Sequence, residues 1–226
     1  MNKTFINEIS HIKQNGGSKK VKLLELFKGS GSVGKVAKKL GYGVLSLDFD
    51  PIFTPDIETD ILKWDYKAYA KENNYKPDYI WASPPCNTYS PLAYPLKERN
   101  TETAEPKSDR AKEGTRILYK TLEIINYFLK LNPNLKYCIE NPRGMMRKDS
   151  RMEKIPFRAT TYYCYYGGKK LKPTDFWSNY ELGLKEIDGR CENYTTVVSL
   201  TKIKDRYSIP GRLIKQIIFT AYINTP

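Results

Sequence analysis

Four short apolar runs, each cut off by glycine, proline or an acid, constrain this chain more than any other feature. They are Val21 to Phe27, Gly43 to Asp50, Asp78 to Ala82 and Leu135 to Glu140. Runs this short and this apolar read as strands buried on both faces. After the first, Gly31 to Leu40 has helical spacing. Before the fourth, residues 109 to 131 carry Ile117, Leu118, Leu122, Ile125, Phe128 and Leu129 as an apolar stripe that stops near Pro133. Strands alternating with helices predict an α/β fold, a mostly parallel sheet with helices on both faces and ligands at the carboxyl ends of its strands. A weaker strand is expected around Ile57 to Leu62. Beyond Arg158, ATTYYCYY and KPTDFW read as strands around Gly167-Gly168, and Ser208 with Pro210 signals the start of a last helix. The stretch from Asn87 to Gly114, with its prolines and charges, reads as a long loop of the kind that serves as a lid.

A length of 226 residues suits one buried core. Residues 21–226 are therefore expected to form a single domain behind a lead-in, residues 1–20. The 38 Lys and Arg against 25 Asp and Glu leave a formal charge of +13, which points to a polyanionic partner. More than half of that excess lies between Asn141 and Lys172, where nine basic residues face only Asp149 and Glu153. Cys86, Cys138, Cys164 and Cys191 are widely spaced, with no C-x-x-C pair, and suggest neither a disulfide framework nor a metal site. No signal peptide and no run of membrane-spanning length is apparent. A cytoplasmic location is expected, with no membrane or metal partner and a monomeric state. The one histidine, His11, falls in the lead-in and leaves a Ser-His-Asp triad without support.

Chemistry gathers at the strand ends. FKGSGSVG, Phe27 to Gly34, puts small residues where a strand meets a helix, so a ligand can approach the backbone and the helix amino end. No G-K-[ST] follows, which disfavours a phosphate site. Asp48 closes the next strand with a carboxylate suited to a ribose, and Phe49 beside it can stack on an adenine. SPPC, Ser83 to Cys86, fixes the backbone with two prolines and leaves a thiol at the mouth of the sheet. Cysteine is the strongest ordinary nucleophile near neutral pH. Cys138, inside its apolar run, reads as a small buried hydrophobe. IENPRG, Ile139 to Gly144, ends the neighbouring strand with Glu140, followed by Arg143. A nucleophile and an acid on adjacent strand ends, beside a nucleoside site, suit attack on an electrophilic ring.

LFKGSGSVG, DFDP, TDI, SPPC and ENP, in this order and at these spacings, resemble the motifs of DNA (cytosine-5) methyltransferases, small bacteriophage-type members in particular. The resemblance spans roughly residues 21 to 224. It implies the Rossmann-like methyltransferase fold and S-adenosylmethionine as cofactor. By that likeness Phe27, Gly29 and Gly31 cradle the cofactor, Asp48 holds its ribose, Phe49 covers its adenine, Asp60 and Ile61 read the adenine edge, and Pro84 lines the site. Cys86 is then the nucleophile and Glu140 the acid that engages ring nitrogen 3. Ser83, Asn87, Ser90, Arg143, Lys170 and Lys172 are the expected substrate-binding residues, and DNA the partner.

The chain departs from the family in two places. Family members usually carry Gln-x-Arg-x-Arg after this strand, whereas Tyr166-Gly167 is followed by GKKLKPT, leaving Lys170 or Lys172 to replace the arginines without their planar fork. The family's Gly-Asn-x-Val near the end is replaced by SIPGRLIKQI. The same pocket on RNA, or a noncatalytic nucleic-acid-binding protein on this scaffold, are the alternatives. Matched DNA and RNA methylation separates the first, and the absence of turnover marks the second. Only residues 180–206 are available as a target-recognition segment. Relaxed or very short sequence specificity is expected, to be checked by methylating unrelated duplexes; strict confinement to one long site would overturn it.

Overall fold

The computed structural model describes residues 20–169, 171–186, 191 and 208–223. The apolar runs become β1 (Lys22–Leu26), β2 (Gly43–Asp48), β4 (Tyr79–Ala82) and β5 (Lys136–Pro142), with β3 reduced to Ile57–Glu58. Helices α1 (Ser32–Lys39), α2 (Tyr66–Glu72), α3 (Asp109–Leu131) and α4 (Gly211–Ile223) separate or follow them, and β6 (Phe157–Tyr162) and β7 (Pro173–Ser178) complete the sheet. The strand order is β3-β2-β1-β4-β5-β7-β6. The first five of these are parallel, and β7 runs antiparallel to both β5 and β6.

Alternation along the central strands explains why both faces are covered. On β1, Leu24 and Leu26 join Ile80 and Ala82 of β4 beneath Leu118, Ile124, Ile125 and Phe128 of α3. Leu23, Tyr79 and Trp81 point to the opposite face, under Val33 and Ala37 of α1 and Leu213, Ile214, Ile217 and Ile218 of α4. Burial of side chains of this size stabilises by about 1.5–3 kcal/mol each before entropy is counted. The chain leaves β1 toward β2 and returns to place β4 on the other side of β1, so the order reverses between β1 and β4. A crevice opens at their carboxyl ends.

Several expectations need correction. The strand expected over ATTYYCYY stops at Tyr162; Tyr163–Tyr166 turn as a 3-10 helix that Gly167 ends at φ 81, a conformation that glycine adopts without a Cβ clash. Helix α2 was not evident in the periodicity, although Asp65 caps it by accepting from Ala68 N at 2.9 Å. Helix α4 begins at Gly211 instead of Ser208, because the carbonyl of Pro210 accepts from Leu213 N and Ile214 N. Its entry is tied to the start of α1: Ile209 N donates to Ser32 Oγ at 3.2 Å. Cys164 and Cys191 form a disulfide with Cα atoms 6.0 Å apart, against the expectation of none. Sequence spacing could not show that the 3-10 turn brings Cys164 to Cys191. Lys170, the lead-in up to residue 19 with His11, and most of 180–206 lie outside the described residues. Among the described residues no helix is long and apolar enough to cross a membrane.

One buried ion pair fastens the antiparallel end of the sheet. Asp175 on β7 is fully buried and accepts from Arg147 Nε at 2.9 Å, from Arg147 Nη2, and from Thr160 Oγ1 at 2.7 Å. Removing one partner of such a pair leaves an uncompensated charge. Arg147→Met should therefore lower stability by about 3–5 kcal/mol, read as a lower urea midpoint at unchanged slope. An unchanged midpoint would show the pair to be idle.

Candidate active site

The reactive groups stand where β4 and β5 end side by side. The two strands pair in parallel with Ala82 opposite Ile139, so the residues that follow Ala82 leave the sheet next to Glu140. Asn141 Nδ2 donates to the Pro84 carbonyl at 2.8 Å, tying ENP to SPPC. Ser83 Oγ accepts from Trp81 Nε1 at 3.1 Å, and the Cys86 carbonyl accepts from Tyr89 N and Ser90 N at 3.0 and 2.9 Å. Cys86 is half-buried and free. Pro84 and Ser90 are buried, while Asn87 is exposed with its carbonyl accepting from Arg110 Nη2.

Glu140 is 6% exposed. Its Oε1 accepts from the Tyr163 hydroxyl at 2.9 Å and lies 3.7 Å from Lys172 Nζ. Lys172 also sits over the Tyr163 ring, 4.9 Å from its centroid. Burial pushes the Cys86 thiol above its ordinary value, and the nearby Lys172 ammonium pulls it back while Glu140 adds to the rise. Sequence reasoning missed Tyr163. It lay inside a run of aromatics read as strand, and nothing in that run marked which hydroxyl turns inward. Arg143, also expected here, is exposed, and its amide donates to the Pro173 carbonyl at 2.9 Å.

On the β1 and β2 side, Phe27, Gly29 and Gly31 all have positive φ, at 64, 47 and 67. The turn is held from below: Gly29 N donates to Asp48 Oδ2 at 2.9 Å, and Asp50 N to Oδ1 at 3.1 Å. Asp48 thus braces the glycine turn, and each of its oxygens keeps a lone pair for a hydroxyl. Beside this buried acid, Phe49 is left 70% exposed. An unpacked ring at a strand end fits a site that a planar base would cover. Asp60 Oδ1 accepts from Leu62 N at 2.9 Å, and the Ile61 side chain is buried in the core.

The loop expected from Asn87 to Gly114 stops at Ser108, whose Oγ accepts from Ala111 N at 3.1 Å and caps α3, so that Gly114 is helical; what remains behind the cysteine is built, not loose. Arg99, 2% exposed, donates to Thr88 Oγ1 at 3.0 Å, to the carbonyls of Ala104 and Ala111 at 3.0 and 2.6 Å, and to Thr115 Oγ1 at 2.9 Å. Its guanidinium lies over the Tyr89 ring at 3.6 Å. The Tyr89 carbonyl accepts from Met145 N at 2.7 Å, and a Cβ on Gly144 would come within 2.3 Å of that oxygen. Only glycine therefore lets β5's exit pass under the cysteine loop.

No protein-family model matches the chain. A curated protein of Frog virus 3 (isolate Goorha), named "Probable DNA (cytosine-5)-methyltransferase", is 31% identical over 163 residues, which cover 71% of this chain and 72% of that protein. A solved methyltransferase of Entamoeba histolytica matches with a TM-score of 0.51 at 14% identity, over 79% of this chain and 58% of its own. A methyltransferase of S. pombe matches with 0.47 at 12%, over 75% and 53%. The chain thus spans little more than half the length of these two solved structures. The likeness to the Entamoeba protein establishes the Rossmann-like methyltransferase fold.

The arrangement around Cys86 generates one prediction for titration. A cation next to a thiol favours the thiolate, so removing Lys172 should raise the Cys86 pKa. The midpoint of iodoacetamide alkylation at Cys86, followed by mass spectrometry across pH, should move upward in Lys172→Met and stay near the wild-type value in Lys172→Arg. A midpoint indifferent to Lys172→Met would remove Lys172 from the site.

Proposed function

We propose, from the premise that the chain belongs to the DNA (cytosine-5)-methyltransferase family, that it methylates carbon 5 of cytosine in DNA through a covalent adduct of Cys86. The observation that carries this reading is the meeting of a half-buried free thiol and a buried carboxylate at the ends of two adjacent strands with an ammonium at the start of β7.

Carbon 5 of cytosine is too weak a nucleophile to take a methyl group unaided. The Cys86 thiolate, favoured by Lys172, adds to carbon 6, and the electron pair of the 5,6 double bond shifts to carbon 5 and through carbon 4 toward nitrogen 3, so that carbon 5 becomes enamine-like. Glu140 hydrogen-bonds ring nitrogen 3 and neutralises the charge that develops there. With Tyr163 and Lys172 both directed at Oε1, Oε2 is the oxygen assigned to the base. S-adenosylmethionine, when bound, supplies the methyl group. Loss of the carbon 5 proton then restores the double bond as sulfur leaves carbon 6.

Phe27, Gly29, Gly31, Asp48, Phe49, Asp60, Ile61 and Pro84 are the residues assigned to the cofactor. The positive-φ turn, the braced Asp48 and the exposed Phe49 ring are compatible with it. The cytosine cannot be reached inside a duplex and must be flipped out, at a cost of a few kcal/mol. Basic residues, Lys172 beside Glu140 and the exposed Arg143 among them, offset part of that through phosphate and base contacts.

Denaturant-resistant trapping on duplex DNA carrying 5-fluorocytosine, with S-adenosylmethionine present, tests this directly, because fluorine at carbon 5 blocks the final elimination. A cofactor-dependent adduct is expected with wild type and none with Cys86→Ala. An adduct that forms on matched RNA alone moves the substrate to RNA. Absence on every polymer overturns the reaction.

A further inference from the structure

The Cys164–Cys191 bond ties down a part of the site that backbone pairing holds poorly. The β6–β7 ladder ends with Tyr162 opposite Pro173, and proline has no N–H to give. The next contact, Tyr163 N to the Lys172 carbonyl, is stretched to 3.4 Å, against roughly 2.9–3.0 Å for an ordinary bond of this kind. Tyr163 and Lys172, the two residues at this weak end, are the ones that meet at Glu140 Oε1, at 2.9 and 3.7 Å. Cys164 follows Tyr163 directly. The two cysteines are 27 residues apart in sequence, and the stretch between them includes Lys172 and all of β7. One covalent link therefore closes a ring that contains the ammonium and abuts the hydroxyl.

The fold does not need the bond. Within the turn, Gly167 N donates to the Cys164 carbonyl at 3.1 Å and Gly168 N to the Tyr163 carbonyl at 3.0 Å. Lys185 N donates to the Tyr166 hydroxyl at 3.0 Å, and the rings of Tyr163 and Tyr166 are buried. Opening the bond would leave these contacts in place and remove the covalent restraint on the turn. Both cysteines are half-buried, unlike the fully buried Cys138, and accessible sulfurs are the ones that exchange. In the reducing compartment expected from the sequence, a bond of this kind is redox-sensing and not permanent.

We propose that Cys164 and Cys191 form an exchange site for low-molecular-weight thiols and disulfides, and that reduction of their bond lowers methyl transfer by loosening Tyr163 and Lys172 at Glu140. The proposal rests on the reaction proposed above. A small thiolate attacks one sulfur of the bond, forming a mixed disulfide and releasing the other cysteine as a thiolate. A second small thiol then attacks the mixed disulfide, and the two small molecules leave joined as a disulfide. The protein gains two electrons and two protons, which the two small thiols lose. A small disulfide runs the same steps in reverse and closes the bond.

The test uses the full chain equilibrated with glutathione at graded ratios of reduced to oxidised form. Free thiols are counted by alkylation and mass spectrometry, and methylation of duplex DNA is followed on the same samples. Cys164 and Cys191 should open together in one step, kcat should fall at least fivefold across that step, and reoxidation should restore it. Cys164→Ser/Cys191→Ser should stay at the reduced level at every ratio. Tyr163→Phe should respond less than twofold, because the hydroxyl that the bond steadies is absent. An unchanged kcat across the step, or no bond at any ratio, overturns the proposal. An equal response in the double variant assigns the effect to oxidation of Cys86, and a full response in Tyr163→Phe assigns it to stability alone; both overturn it as well. One reading needs no turnover: with Lys172 loosened, the pH midpoint of Cys86 alkylation should rise when the bond is opened and glutathione removed. If the wild type fails to trap 5-fluorocytosine DNA, the reaction falls, and this midpoint still decides the switch.

Discussion

The hydrogen bond from Asn141 Nδ2 to the Pro84 carbonyl joins the two strand ends on which everything else depends. Parallel pairing of β4 with β5 brings Ala82 level with Ile139, but strands diverge once their ladder stops. Asn141, buried and only one residue past Glu140, spans that divergence and keeps the proline-stiffened exit of β4 beside the carboxylate. The two prolines remove backbone freedom and backbone donors together, so the carbonyl of Pro84 is a natural acceptor and the thiol two residues later has few places to go. The geometry of the pair is a property of the sheet and not of a mobile loop.

Once the pair is fixed, the electrostatics follow from burial. Glu140 and Asp175 are both on the two strands β5 and β7 and both nearly inaccessible. Asp175 is matched by an arginine fork and a threonine, three donors on a fully buried carboxylate. Glu140 is matched by one tyrosine hydroxyl and by a lysine at 3.7 Å, a looser arrangement that leaves acceptor capacity in a low-dielectric cleft. The contrast separates a structural carboxylate from one available for chemistry, since a fully satisfied buried network rigidifies while an incompletely satisfied one costs energy until a partner arrives. The Cys86 thiol shares that cleft, and burial raises it against the pull of Lys172.

Much of this was legible because the chemistry sits at the ends of apolar runs. VKLLELF, DYIWA and LKYCIE are largely buried on both faces and GVLSLDFD partly so, and such strands cannot hide their boundaries: Asp48, Ser83 and Glu140 are where the apolar pattern stops. Helix α3 was equally plain, since a stripe over 109–131 has no other reading. What was not legible is tertiary. The capping of α2 by Asp65, the inward turn of Tyr163, the clamp made by Arg99 and the Cys164–Cys191 bridge each depend on which distant residue is a neighbour, and period and composition carry no such information. Arg99 in particular reads as one more charge in a charged loop; its burial follows from hydroxyls and carbonyls contributed by residues between 88 and 115.

The departure from the usual family pattern has a physical answer in the same site. An arginine offers two parallel donors in one plane, and a lysine offers a compact point charge on a flexible stem. Lys172 alone would therefore hold the Glu140 carboxylate without fixing its orientation. Tyr163 supplies the missing constraint: its hydroxyl, on a ring that is 2% exposed and cannot swing, donates to the same Oε1 that Lys172 approaches. The ammonium in turn rests over that ring at 4.9 Å, a cation–π contact that restricts the lysine as well. A neutral directional donor and a charge, carried on the 3-10 turn and at the edge of β7, together hold the carboxylate. The ammonium also acts on Cys86 to favour its thiolate, so one cation serves both the thiol and the carboxylate.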